Sequence, residues 1–132
     1  ELDKPETSTG KRTGLVLVAD DDDIPRETAI AIIEALGYTS VPVSSGAEAL
    51  ERFEAQPDEW TAVILDRRMG DPGGVETAKA MRAIRPDLPI VLASGLHDYG
   101  SGRDTNPEEH FVELDKPYTL AELCQAIDQA LA

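Results

Sequence analysis

The 132-residue chain predicts an α/β fold, a doubly wound five-stranded parallel sheet with helices on both faces. Three observations carry that expectation. Short apolar runs alternate with stretches of helical periodicity, the pattern that needs right-handed crossovers and covers both faces of a parallel sheet. The runs are nearly continuous in apolar residues and bounded by turn residues, as strands buried on both faces are. The clearest of them end on a polar side chain, at the edge where open α/β sheets place their chemistry.

Residues 1–13 are rich in Lys, Thr, Ser and Glu without periodicity and read as a linker, leaving 14–132 as one domain. Glu1-Leu2-Asp3-Lys4-Pro5 repeats at 113–117, but no pattern follows the first copy, so the match reads as chance. Gly10-Lys11 has neither the leading glycine nor the preceding strand of a phosphate loop. Gly14–Ala19 is a first apolar strand that runs into Asp20-Asp21-Asp22-Asp23. A helix follows, capped by Asp22 or Asp23, with Pro25 in its first turn and Ala29, Ile30, Ile33 and Leu36 on one face. Gly37 stops it.

The next strand, about Thr39–Val43, carries Pro42, which cannot donate to a ladder and so points to a sheet edge. Ser45 then caps a helix bearing Ala49, Leu50 and Phe53. The strongest run, ending Ala62-Val63-Ile64-Leu65-Asp66, starts near Trp60 and breaks into Gly70-Asp71-Pro72-Gly73-Gly74. A helix from about Gly74 to Ile84 shows Val75, Ala78 and Met81 at helical spacing. Pro86 and Pro89 bracket the turn into Ile90–Ala93, which ends at Ser94-Gly95. The segment 96–110 has no apolar face and reads as loop, so a fourth helix there is short or irregular. Phe111–Leu114 is a weak last strand running into Asp115-Lys116-Pro117. The final helix follows Thr119 as cap, with Leu120, Leu123, Ile127 and Leu131 along one face.

Composition bounds the function. A chain of this size with 41% hydrophobic residues buries roughly two thirds of its unfolded surface without staples. One cysteine, Cys124, forms no internal disulfide, which suits a reducing compartment. His97 and His110 stand apart with no cysteine nearby, which excludes a zinc site. A net charge of -14 argues against nucleic acid or an anionic membrane as a partner. No stretch approaches the length of a membrane span, and the amino terminus lacks a signal core. A cytoplasmic location is expected. The polar start at Glu1, without Met, suggests a piece of a longer chain.

Side by side, the strand ends bring Asp20, Asp21, Asp66, Ser94 and Lys116 to one edge. Carboxylates crowded there repel unless a cation joins them, and hard oxygen ligands suit Mg²⁺. Lys116 adds a point charge for an anion and Ser94 a hydroxyl donor. An aspartate so surrounded is equipped to accept a phosphoryl group, a transfer that needs positioning and charge neutralisation above all. Taken singly, each element has an ordinary structural explanation: four Asp as a helix-capping stretch, Asp66 and Ser94-Gly95 as turns, Lys116-Pro117 as a strand terminus. It is their joint occurrence at successive strand ends that favours a site.

The motifs LVLVADDDD at 15–23, VILDRRMGDPGG at 63–74, IVLASG at 90–95 and LDKPYTLAEL at 114–123 resemble the receiver domains of response regulators and hybrid histidine kinases. The resemblance covers about residues 14–132 and implies the flavodoxin-like strand order 2-1-3-4-5. It implies that Asp66 is phosphorylated from a partner's phosphohistidine, on a histidine kinase or histidine phosphotransfer protein. Asp21 would be the direct acidic ligand of Mg²⁺ and Asp20 would act mainly through water, with Asp66 also in the metal set and the Arg68 backbone carbonyl completing the protein's share. Ser94 matches the switch hydroxyl and Lys116 the lysine that pairs with the phosphoryl group. Arg68 and Leu96 fall at the two variable positions that tune hydrolysis. The run 70–95 leans toward receivers of hybrid kinases.

Two departures from that family concern output. Gly70 stands where a proline is usual, and Glu113 stands where an aromatic often swings inward. An output face built from the segment 96–110, the last strand and the last helix, including a homodimer through it, is the family's usual route. Two other function classes compete. A receiver-like interaction module that is never phosphorylated draws on Gly70, Glu113 and the irregular segment. A phosphohydrolase of the haloacid dehalogenase type would need a second Asp where this chain has Arg68. The domain is therefore expected to act as a signalling phosphoacceptor, catalysing only its own phosphorylation and dephosphorylation, and not as an enzyme.

Overall fold

Five parallel strands form one sheet in the order β2-β1-β3-β4-β5. They are β1 (Leu15–Ala19), β2 (Thr39–Val43), β3 (Trp60–Asp66), β4 (Ile90–Ser94) and β5 (Val112–Asp115). The structure, a computed structural model, describes residues 13–95 and 111–132. Its helices are α1 (Asp23–Ala35), α2 (Gly46–Ala55), α3 (Gly74–Ile84) and α4 (Leu120–Leu131), with a 3₁₀ turn at Pro57–Glu59. The expected short or irregular helix in 96–110, Leu96 with it, and residues 1–12 of the expected linker 1–13 lie outside the described residues.

Register decides where the polar strand ends meet. Ala19 stands opposite Val43 on one side and Leu65 on the other, Asp66 opposite Ala93, and Ser94 opposite Asp115. The carboxyl ends of four neighbouring strands are thus level. Pro42 pairs with Val18 on the edge strand β2, where its missing N–H breaks no inner ladder.

Strand alternation sends neighbouring residues to opposite faces, and each face is buried by its own pair of helices. Leu17, Val63, Leu65 and Leu92 pack with Phe53 of α2 and Met81 of α3. Val16, Val18, Ile64 and Val91 pack with Ile33 of α1 and with Leu123 and Ile127 of α4. A doubly wound sheet with two helices on each described face is the result.

Helix starts are set by side chains that satisfy first-turn N–H groups. The Asp22 carboxylate accepts from Ile24 N–H, the Ser45 hydroxyl from Glu48 N–H and the Thr119 hydroxyl from Glu122 N–H. At Thr119 and at Gly73 a glutamate three residues on accepts from the cap's own N–H. Gly37, at φ 111°, follows α1 in the left-handed region that only glycine enters freely.

Several expectations shift. β1 begins at Leu15 rather than Gly14, and β4 takes in Ser94. The last strand begins at Val112, not Phe111, and reaches Asp115, because its ladder follows β4 through Ser94. In α4 the buried residues are Leu123, Ala126 and Ile127, whereas Leu120 and Leu131 are 46% and 43% exposed. Both leucines occupy terminal turns, beyond the middle of the helix that lies on the sheet.

Candidate functional site

The site is a row of strand termini. Asp20 directly follows β1 and Asp66 closes β3; both are buried, at 5% and 6% exposure. Burial of an aspartate at a strand end requires a partner, and the same ammonium serves both. Lys116 Nζ donates to Asp66 Oδ1 at 3.1 Å and to Asp20 Oδ2 at 3.2 Å. Lys116 is carried there by the register of β5, its N–H bonding Ser94 O at 2.8 Å.

Asp20 is fixed from three sides. Its N–H bonds Val43 O at 3.2 Å, its Oδ1 accepts from Asp22 N–H at 2.9 Å, and its carbonyl accepts from Arg26 Nη1 at 2.9 Å. Asp21 is exposed beside it. Asp20, Asp21 and Asp66 each offer a carboxylate oxygen, all within 4.8 Å of one another. Three carboxylates against one ammonium leave excess negative charge, and an all-oxygen donor set of that charge fits a hard divalent cation such as Mg²⁺.

The electrostatics show the strain of that crowding. Asp66 is pushed up from 3.8 to about 6, first by burial and then by the Asp20 carboxylate, with Lys116 pulling the other way. Burial pulls the Lys116 ammonium down, but the Asp66 and Asp20 carboxylates outweigh it and hold its pKa above the usual value. Tyr118, two residues on, is raised to about 12 by burial and by the same two carboxylates.

The turn after Asp66 is held closed by its glycines. Gly74 N–H bonds Arg67 O at 2.9 Å. A Cβ on Gly74 would collide with the Asp66 carbonyl and come within 2.8 Å of Arg67 Cα, so α3 starts against the backbone of Asp66 only because position 74 lacks a side chain. Gly70, at φ 83° with nothing near its missing side chain, supplies the left-handed step of the loop.

Ser94, the last residue of β4, is buried on the same edge. Its hydroxyl accepts from Arg67 Nε at 3.2 Å, and Arg67 Nη2 pairs with Glu113 Oε2 of β5 at 3.1 Å. The fold thus brings Asp20, Asp21, Asp66 and Lys116 into one cluster, with Ser94 alongside and joined to Arg67. Arg68 lies in the turn after β3 with an exposed side chain.

Arg67 escaped the sequence reading, and Glu113 was noted only for what it replaces. Their signal was an arginine directly after Asp66 matched by an acid within the otherwise apolar run of the last strand.

The family model for the response regulator receiver domain matches residues 16–128. The response regulator receiver protein CpdR of Brucella abortus (strain 2308) is 28% identical over 116 residues, covering 88% of this chain and 95% of that protein. The sensor kinase CckA of the same strain is 28% identical over 131 residues, and the chain spans only 14% of that kinase's length. A crystal structure of a response regulator receiver protein from Sinorhizobium medicae WSM419 superposes with a TM-score of 0.76 at 30% identity, covering 92% of this chain and 96% of that one.

Proposed function

We propose that in this chain, which belongs to the response regulator receiver domain family of two-component signalling, Asp66 accepts the phosphoryl group from a partner's phosphohistidine. The observation that carries it is the single ammonium of Lys116 bridging two buried carboxylates, Asp20 and Asp66, at the carboxyl edge of the sheet. That arrangement offsets part of the acceptor's charge, and with the exposed Asp21 carboxylate beside it three carboxylates face one ammonium, an excess of negative charge suited to a cation.

In the transfer, an Asp66 carboxylate oxygen attacks phosphorus, a P–O bond forms and the P–N bond to the partner's imidazole breaks. The bonding pair leaves with the imidazole nitrogen, which takes a proton from solvent. The attacking form is the carboxylate, which Lys116 and a bound divalent cation both favour over the neutral acid. Lys116 neutralises charge that grows on the phosphoryl oxygens, and the Ser94 hydroxyl donates a hydrogen bond to one of them.

Bound Mg²⁺ would add a Lewis acid that screens the incoming phosphoryl group from the carboxylates. Asp21 and Asp66 would hold it directly, Asp20 mainly through water, and the Arg68 backbone carbonyl would complete the protein's share. What supports this set is the grouping of the three carboxylates.

The proposed partner is a histidine kinase or histidine phosphotransfer protein. The match to a segment of a sensor kinase supports a place in a hybrid kinase, and the match along CpdR supports a free-standing regulator; the donor chemistry is the same in both. Among the described residues no helix is long and apolar enough to cross a membrane. We take the domain to work in the cytoplasm, where Cys124 stays reduced. Turnover of small phosphate esters is not expected.

Acetyl phosphate with Mg²⁺ tests the proposal. The intact mass is expected to rise by one phosphoryl group, and the rise to vanish with EDTA or in Asp66→Asn. An unchanged wild-type mass, or a full rise in Asp66→Asn, would overturn it.

A further inference from the structure

We propose that Arg67 is the positioning residue for the Ser94 hydroxyl and that Glu113 holds it in that role; this rests on Asp66 being the phosphoacceptor. Ser94 is 1% exposed, so its hydroxyl depends on protein partners. Arg67 Nε donates to its oxygen. A lone pair is thereby occupied by a cation's N–H, and among the described residues no acceptor takes the hydroxyl proton. Polarised by the guanidinium, that O–H is a stronger donor toward a phosphoryl oxygen than an isolated serine would be.

Arg67 is itself built in place. Its N–H bonds Ala93 O at 2.8 Å, its carbonyl accepts from Gly74 N–H, and its side chain is only 12% exposed. Glu113 supplies the remaining restraint. Without that pair, the guanidinium of the residue directly after Asp66 would be drawn toward the site's excess negative charge and obstruct attack. The pair with Glu113 turns it away, and does so from β5, across β4. At position 113, where an aromatic is often found in the family, this chain carries a charge that aims Arg67 at Ser94.

Exchanging the charges separates positioning from mere cross-linking. In the double variant Arg67→Glu with Glu113→Arg an ion pair can re-form, but a carboxylate at position 67 accepts the hydrogen bond of the Ser94 hydroxyl and diverts it from the phosphoryl group. The thermal midpoint is expected to recover relative to Arg67→Ala. Labelling of Asp66 by acetyl phosphate with Mg²⁺ is expected to remain about tenfold slower than wild type and no faster than in Ser94→Ala. Wild-type labelling in the exchanged protein would overturn the proposal, whereas an unlabelled wild type would overturn the phosphoacceptor reading beneath it.

A second measurement holds if the exchanged protein does not fold. In the wild type, the Arg67 Nε–H resonance is expected to shift when beryllofluoride and Mg²⁺ load the site, as Ser94 commits its proton. A loaded site with that resonance unmoved would equally overturn the proposal.

Discussion

Replacing Asp66 by Asn in the metal-free protein is expected to stabilise the fold at neutral pH, although it removes an ion-pair partner of Lys116. The reason lies in the net balance at that carboxyl. Burial and the Asp20 charge outweigh Lys116 and raise it from 3.8 to about 6. A gap of about two pH units, at roughly 1.4 kcal/mol each, makes the ionised form about 3 kcal/mol less favourable in the fold than in the unfolded chain. Asn mimics the neutral acid, so a gain of about 1–3 kcal/mol is expected near pH 7.5.

The pH dependence has a definite sign. Between the ordinary value and about 6 the folded carboxyl holds its proton more tightly than the unfolded one. Stability from this group is therefore lost as pH rises through that window. The advantage of Asp66→Asn should be absent below about pH 4, grow through the window and level off above it. Urea unfolding in EDTA across that range measures it. An Asn variant less stable than wild type at neutral pH, or a difference independent of pH, would refute the reasoning.

Other consequences follow from the same geometry. Lys116→Met leaves Asp20 and Asp66 facing without their common cation; the Asp66 midpoint, followed by carboxyl-carbon NMR, should move above about 6, and an unmoved midpoint would contradict the bridge. Mg²⁺ should raise the thermal midpoint of the wild type more than that of Asp66→Asn, since the third carboxylate of the cluster is lost in the variant; equal shifts would remove Asp66 from the metal set. Gly74→Ala places a methyl against the Asp66 carbonyl and should cost about 2 kcal/mol or more in urea unfolding; a neutral effect would show that α3 can move off the acceptor strand.

Much of the fold was legible because its strands are short apolar runs closed by turn residues, and its helices announce their starts through Asp22, Ser45 and Thr119. The carboxylates and the lysine were legible for a related reason. In a parallel sheet every strand end points to the same edge, so polar residues that interrupt apolar runs are neighbours whatever their separation in sequence. The strand order itself came from family resemblance, since alternation of strands and helices permits several orders.

What stayed hidden depended on long-range register. Arg67 lies just past its strand and reaches Ser94 and Glu113 only because β3, β4 and β5 align as they do. The need for glycine at position 74 is likewise a matter of where α3 begins against the backbone of Asp66. The exposure of Leu120 and Leu131 shows the limit of periodicity, which finds a helix face but not how far the sheet extends beneath it.

The central claim is that Asp66 is the residue that receives the phosphoryl group. Its most direct measurement is to incubate the protein with Mg²⁺ and a phosphorylated histidine phosphotransfer protein, trap the acyl phosphate by borohydride reduction and map the altered peptide. Conversion of residue 66 alone to homoserine is the expected result. Reduction at Asp20, Asp21 or Asp71 instead, or none at all from a partner that has lost its phosphoryl group, would contradict the account.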